Sequence, residues 1–575
     1  MNNINTILYL LQIWNVFSIS RTNIFLKNEL FPTNNTLLPS CQSKVFCDSD
    51  FLHDVQMSSI FPSSETFFFK QMKFTESEIL NKYMKLKQSN NMQVPSNKIL
   101  RSFIDENFEN SDDIEKWTPT DTTETPSILY TIYDENYKQW AEILNKALNV
   151  LAYKIKYDVK IHPDKYSLIW LPNGFIKLNN TLRELDFWET YWVVKGLLLC
   201  DMKNTARGII DNLVSMVSRF GFVPSGARVF NLSRSQPPML ILMVLNYYQD
   251  TKDFKYVKSI LPELEIELKF WLENRMTTFL KNGKSYRMAR YYAPSKGPRP
   301  EFYREDYIAA QTFQNEKDKD EFFLNIKSAT ESGWNFFKRW HTQLNARHLF
   351  KNITEIETSK IVPVDLNSIL QVNALTLSKW FDMIGDNRKT IKYRAISLML
   401  LKSIQEVMWN PEIGAWFDWD VMYNQSQNNF YASNIIPLWT ESFRMPKKLV
   451  YTAVLNYLNN NNIIEESDYT INDYNIHVNM SFRLNSRDYL NVGSPLQAFV
   501  IEGFNQLGRP SAKDKAKKMA KVWLRNSYKL FFENREVSEG ENSDDDEYDF
   551  LTGFDWTYGL ALEFLKIWGD VATYE

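Results

Sequence analysis

Between Met202 and Phe220 the residues Met202, Ala206, Ile209, Ile210, Leu213, Met216, Val217 and Phe220 step by three or four. That spacing gathers them on one face of a helix, whereas in a strand they would scatter over both faces. The helical period runs over residues 182–220, and Gly221 then supplies a stop. Pro237-Pro238 opens a further helix whose apolar run reaches Tyr247-Tyr248. The segments Leu261–Trp271, Leu366–Phe381, Lys392–Trp409, Ala512–Phe532 and Thr557–Trp568 carry the same period. Strand-like alternation is scarce and no β-α-β rhythm appears. Helices recurring in pairs over most of a chain can close into inner and outer rings, an all-α, α/α toroid. No internal repeat and no compositional break calls for a second domain. Residues 103–128, rich in Asp, Glu, Thr and Pro, read as a surface loop with little local structure.

Charge narrows the partners. Against 69 Asp plus Glu stand 66 Lys plus Arg, a formal charge of −3. That near-balance gives no support for a nucleic-acid binder, which shows a basic face. A polar or neutral partner fits better. The apolar run Ile7–Phe17, with Ser18 and Ser20 ahead of a cleavage point, reads residues 1–20 as a secretory signal and residues 21–575 as the mature domain. No later segment has the apolar length of a spanning helix. Gly559–Trp568 contains Glu563 and Lys566 and reads as an amphipathic core helix, not as a lipid-anchor signal. In a secreted chain, Cys41 and Cys47 would pair and leave Cys200 buried and free; otherwise the three thiols are unrelated. Sequons stand at Asn34, Asn179, Asn231, Asn352, Asn424 and Asn479. The five histidines are scattered and no Cys-x-x-Cys occurs, so no metal site is expected.

The chemistry concentrates in Glu331-Ser-Gly-Trp-Asn-Phe-Phe-Lys-Arg-Trp340. Two tryptophans, a glycine, an arginine and a carboxylate suit a pocket wall that stacks a sugar ring and hydrogen-bonds its hydroxyls. Other dense segments accompany it in order. They are Leu171-Pro-Asn173, Arg183–Trp192, Arg219–Arg228, Arg234-Ser-Gln-Pro-Pro238, Arg290–Pro294, Gly297-Pro-Arg-Pro-Glu301 and Tyr303-Arg-Glu-Asp306. Pro363–Asn367, Ser433-Asn434, Pro437-Leu-Trp439 and Val500-Ile-Glu-Gly503 follow. In this order and spacing the chain resembles the α,α-trehalase family from Cys41 onward, and its Cys41–Thr66 stretch is similar to secreted animal members.

The resemblance implies a six-hairpin α/α toroid, inverting hydrolysis of α,α-trehalose to two glucoses, no cofactor, and trehalose or a related sugar as partner. An inverting glycosidase needs a protonated carboxyl on the leaving oxygen and an opposing carboxylate that activates water. The family's acid position falls on Asn335, an amide with no proton to donate. Its base position falls on Glu547, ahead of Gly553-Phe-Asp-Trp556; read alone, Glu547 is one more carboxylate in the run Asp544–Asp549. Sugar-contact positions retained from the family are Trp188, Arg228, Arg234, Gln236, Arg299, Glu301, Trp334 and Asp488, with Glu189 replacing an aspartate. Others are lost: Thr181 stands for a binding arginine, Ser225 for an asparagine, and Arg487 and Gly493 for tryptophans. The retained charges have a structural reading too, an Arg299–Glu301 ion pair and Arg234 capping helix ends, and Trp334 and Trp340 could be core aromatics. Three functions stay in view: a trehalase-family protein with hydrolysis lost or impaired, an active trehalase, and a secreted sugar- or partner-binding protein without activity.

Overall fold

Helices whose residues are apolar nearly all round must be covered on every side, and the computed structural model places them accordingly. It describes residues 40–177, 187–334, 338–342, 353–461, 488–539 and 556–574. All of them lie in one compact unit, Pro39–Glu575. In chain order the principal helices are α1 (Asp50–Met57), α2 (Glu76–Ser89), α3 (Asn97–Asn107), α4 (Glu135–Val150), α5 (Thr190–Leu199), α6 (Lys203–Phe220), α7 (Leu240–Thr251) and α8 (Phe254–Asn274). There follow α9 (Glu316–Glu331), α10 (Val364–Met383), α11 (Asn387–Ser403), α12 (Ile436–Trp439), α13 (Lys447–Asn460), α14 (Asp488–Gln506), α15 (Pro510–Glu539) and α16 (Trp556–Trp568).

Six of these close a cycle of contacts: α5 packs on α7, α7 on α10, α10 on α12, α12 on α14, α14 on α16, and α16 back on α5. Their composition explains why. In α5 only Lys195 and Leu199 escape full burial, and α7 begins Leu-Ile-Leu-Met-Val. A second layer covers them. Helix α6 packs on α5 and α7, α8 on α7 and α10, α11 on α10, α15 on α14 and α16, and α4 on α16. Helix α13 joins through the Tyr451 ring, 5.7 Å from Phe504 of α14. The layered α/α toroid that the helical period allows and the family resemblance implies is therefore the observed architecture.

The local signals act where they stand. At the end of α6, Gly221 takes φ +83 and its amide donates to the Val217 carbonyl, a left-handed cap open to glycine at no cost. At its start, the amides of Asn204 and Thr205 donate to Asp121 at 2.7 and 2.9 Å. The period over 182–220 is not one helix, however. Asp201 at φ +62 turns the chain between α5 and α6, and residues 178–186 lie outside the described residues. The 103–128 stretch is more ordered than its composition suggests. Phe108–Asn110 pairs with Lys70–Met72, and Ile114–Lys116 with Ala152–Ile155. The longest described strands, Met276–Lys281 and Lys284–Ala289, form a hairpin turned by Asn282-Gly283 at φ 51 and 74; Asn-Gly between strands is a strong hairpin signal.

A smaller apolar cluster from α1, α2 and α3 buries Phe51, Phe67, Tyr83 and Phe103 and reaches Phe230. Cys41 and Cys47 are joined by a disulfide at its edge, and Cys200 is free and buried. Among the sequons, Asn231 is buried with its Oδ1 accepting from Arg234, which removes it as a glycan acceptor, while Asn424 is exposed. No helix among the described residues is long and apolar enough to cross a membrane, and none of them cluster as metal ligands.

One buried acid has a measurable consequence. Glu267 on α8 is 2% exposed, and its Oε2 has no partner among the described residues. Burial pushes its carboxyl from 4.5 up to about 8. The folded chain therefore holds a proton there that the unfolded chain releases, and this contribution to stability is lost as pH rises toward about 8. Glu267→Gln keeps the shape and cannot ionise. Its melting temperature relative to wild type should rise between pH 5 and pH 8 in calorimetric scans, and a constant difference would place Glu267 in contact with water.

Candidate active site

The segment singled out by its composition begins at a buried charge. Glu331 ends α9 fully buried. It accepts from Arg275 Nε at 3.0 Å and Nη2 at 2.7 Å, and from the amides of Ser235 and Tyr292 at 2.8 and 2.9 Å. A buried carboxylate is tolerated when a cation and several donors satisfy it in this way. Gly333 then takes φ +74, and a Cβ there would lie 3.6 Å from the Trp188 indole. The chain turns against Trp188, and the Trp334 indole donates to Asp365 Oδ2 at 2.7 Å.

The far end of the segment is fixed as firmly. Arg339 is fully buried and donates to Asp365 at 2.7 and 2.9 Å and to Asp418 at 2.6 and 3.1 Å. Its guanidinium lies between the rings of Trp334 and Trp340, 4.7 and 4.6 Å from their centroids. Burial alone would lower its proton affinity, but Asp365 and Asp418 outweigh burial and hold it above its ordinary value. Trp340 is a core aromatic with no exposure, and Trp334 is buried beside the pinned arginine. Asn335 lies in the span between these two anchors, and residues 335–337 are outside the described residues.

Next to Glu331 sits the charged cluster. The Arg234 guanidinium bonds Glu301, Asn231 Oδ1 at 2.7 Å and Ser225 Oγ at 3.2 Å. Arg299 clasps Asp306 with Nε at 2.8 Å and Nη2 at 2.7 Å, and its Nη1 donates to Thr330 Oγ1 at 3.2 Å. The pairing expected from sequence, Arg299 with Glu301 and Arg234 on a helix end, is thus exchanged. Asp306, at the start of the helix Tyr303–Ala310, reaches Arg299 first and leaves Glu301 to Arg234. Lys327 of α9 is buried against the Ser295 carbonyl at 2.7 Å. Burial pushes its ammonium down to about 7, with Asp306 pulling it up and Arg234 pressing it down.

Two atoms in this cluster remain over. Arg234 Nη1 and Glu301 Oε2 are buried with no hydrogen-bond partner among the described residues, and so is Gln236 Oε1, two residues along the chain from Arg234. One donor and two acceptors so placed suit a ligand rich in hydroxyls, since buried polar groups are otherwise almost always paired.

The remaining sequence candidates are placed unevenly. Arg228 is buried, donating to the Phe68 carbonyl at 3.0 Å and Ser167 Oγ at 2.6 Å, so it ties the Phe68 turn to the toroid. Trp188 and Glu189 lead into α5 and are partly buried. Asp488 is the first residue of α14. Glu547, Thr181, Arg487 and the acidic run lie outside the described residues. Residues not singled out from sequence are Arg275, Asp365, Asp418 and Lys327. Asp365 stood within the quoted Pro363–Asn367 segment, but Arg275, Asp418 and Lys327 carry no local signal.

The trehalase family model matches residues 59–569. Trehalase of Apis mellifera is 35% identical over 93% of this chain and 86% of its own length. Trehalase of Tenebrio molitor is 36% identical over 92% and 95%, and trehalase of Homo sapiens 32% identical over 94% and 92%. Among solved structures, neutral trehalase Nth1 from Saccharomyces cerevisiae superposes with a TM-score of 0.52 at 18% identity, covering 72% of this chain and 81% of that one. That last likeness concerns the fold alone. With a toroid of paired helices, a pinned Glu-Ser-Gly-Trp segment and relatives matched nearly end to end, the chain belongs to the trehalase family.

Proposed function

We propose that this chain is a secreted trehalase-family protein that binds α,α-trehalose or a related sugar, with hydrolysis lost or strongly impaired. The binding half rests on the unpartnered Arg234 Nη1, Gln236 Oε1 and Glu301 Oε2. Ring hydroxyls would supply what those atoms lack. The catalytic half rests on Asn335 at the position where the family holds its acid. The glycosidic oxygen leaves as an alcohol only if it receives a proton, and an amide side chain cannot deliver one. In this reading Glu547 keeps the opposing base position. Residues 1–20 and the Cys41–Cys47 disulfide support export to an oxidising compartment.

Purified protein should bind trehalose in calorimetry and release no glucose, and Glu301→Gln should weaken binding by about tenfold, the loss of one charge-assisted hydrogen bond. Turnover at the level of an ordinary family member would overturn the reading. For such an active enzyme the Glu65 carboxyl, which burial and the nearby Glu301 push above its ordinary value while Arg228 pulls it down, is the group to test as proton donor, and Glu65→Gln would then abolish turnover. Glu547→Gln, which removes the base, would abolish that turnover as well.

A further inference from the structure

A cleft among the described residues shares no residue with the candidate active site. It encloses about 360 Å³, within the size range of small-molecule sites. Three aromatic side chains, Trp117, Tyr157 and Trp170, line it together with Asn173 and the Glu115–Lys154 pair. Backbone and side chains are built to one another here. A Cβ on Gly174 would lie 2.1 Å from Trp117 Cε3, so the indole lies directly on the chain and only glycine permits it. Asn212 fixes the floor, accepting from the Asn173 amide at 2.8 Å and donating to the Asn173 and Gly174 carbonyls at 3.2 and 3.1 Å. Tyr157 and Trp170 stand edge to face, with Lys160 Nζ 5.1 and 4.4 Å from their ring centres.

The charge inventory decides what such a cleft accepts. Lys154 is paired to Glu115 at 3.2 Å. The amides of Asn204 and Thr205 at the start of α6, which could otherwise hold an anion, are already taken by Asp121. Among the lining residues a phosphate or carboxylate would therefore find no uncompensated cation; Lys160, exposed and not one of them, lies over the Tyr157 and Trp170 rings. A purely apolar ligand would have to desolvate Asn173, Glu115 and Lys154 without replacing their bonds to water. A neutral ring with one apolar face and hydroxyls at its edge meets both conditions: C–H groups against indole, hydroxyls against amide and ion pair.

We propose that this cleft is a second carbohydrate-binding site, taking one pyranose unit of a neutral oligosaccharide and separate from the candidate active site. Maltoheptaose is a suitable probe because it presents glucosyl units on a chain too long for a disaccharide pocket. Full-length protein titrated with maltoheptaose should show a change in tryptophan fluorescence and saturation-transfer signals on a terminal or internal glucosyl ring. Trp117→Ala and Tyr157→Ala should each weaken that binding by about tenfold and leave trehalose binding and the circular dichroism spectrum unchanged. Gly174→Ala, which displaces the Trp117 ring, should do the same if it folds; the two alanine variants decide the matter if it does not. Absence of maltoheptaose binding, binding unchanged by both alanine variants, or binding abolished by Glu301→Gln instead would each overturn the proposal. The last result would place the oligosaccharide in the candidate active site, and failure of trehalose binding alone would leave this site standing.

Discussion

Asn335→Asp, made alone, is expected to give weak or no trehalose turnover, and to give clear turnover only together with Thr181→Arg, Arg487→Trp and Gly493→Trp. The single change restores a proton donor at nearly constant volume, and general acid help is worth ~10²–10⁴-fold. It does nothing for the grip on the sugar, and a misplaced substrate costs ~10²-fold by itself. Neither repair is useful without the other, so the effects should multiply rather than add. The measurement is kcat/KM for glucose release from wild type, the single variant and the combined variant. A wild-type chain equal to the Asn335→Asp variant would mean that another group, Glu65 first among them, donates the proton. The anchors at Glu331 and Arg339 bear on this experiment, because they hold both ends of the span that carries the new aspartate.

Arg339→Met should cost about 3–5 kcal/mol of folding stability, the penalty for leaving buried carboxylates without their cation. Asp365 and Asp418 are 3% and 1% exposed and would both lose their guanidinium partner. The control is Lys447→Met, which removes an equally short pair, 2.6 Å from Glu441, in which both side chains are about half exposed. There the expected cost is about 0–1 kcal/mol, because water already screens the pair. Urea unfolding of the two variants side by side separates a buried charge network from a surface contact of the same length. Similar small losses in both would show that Asp365 and Asp418 take up protons or water without penalty.

The helices were legible because the inner ones are apolar on every side and the outer ones on a single face, while their closure into a toroid was legible through the family's motifs. Within the described residues the helical segments recognised by period fall on observed helices, except that residues 187–189 form a turn ahead of α5 and Lys392–Trp409 passes from α11 into a π-helical turn at Ile404–Met408 and a strand at Trp409. Chain turns were harder to read. The Asp201 turn lies inside an unbroken apolar period and leaves no mark of its own, since an aspartate with φ +62 looks like any other. In the site, Arg234, Gln236 and Glu301 were recognisable through the family's motifs, and the structure brings Arg234 and Glu301 into contact. Which charge pairs with which was not recognisable, because Arg299 chooses between Glu301 and Asp306 by the path of a short helix. Arg275 and Asp418 act across 56 and 79 residues on Glu331 and Arg339, and partnership at that distance has no local signature.

The contact between α5 and α16 has a consequence for how the protein is made. Lys195 of α5 donates to Glu563 of α16 at 2.6 and 2.7 Å across 368 residues of chain. Burial would lower the Lys195 ammonium, but Glu502 and Glu563 hold it above its ordinary value. A growing chain thus carries an apolar helix with a buried cation site through most of its synthesis before the partner exists. Long-range closure of this kind is slow and leaves apolar surface exposed meanwhile. Release of the nascent chain before Trp568 would yield an unclosed set of helices with α5 and α14 uncovered, a substrate for chaperones and proteases and not a shortened toroid.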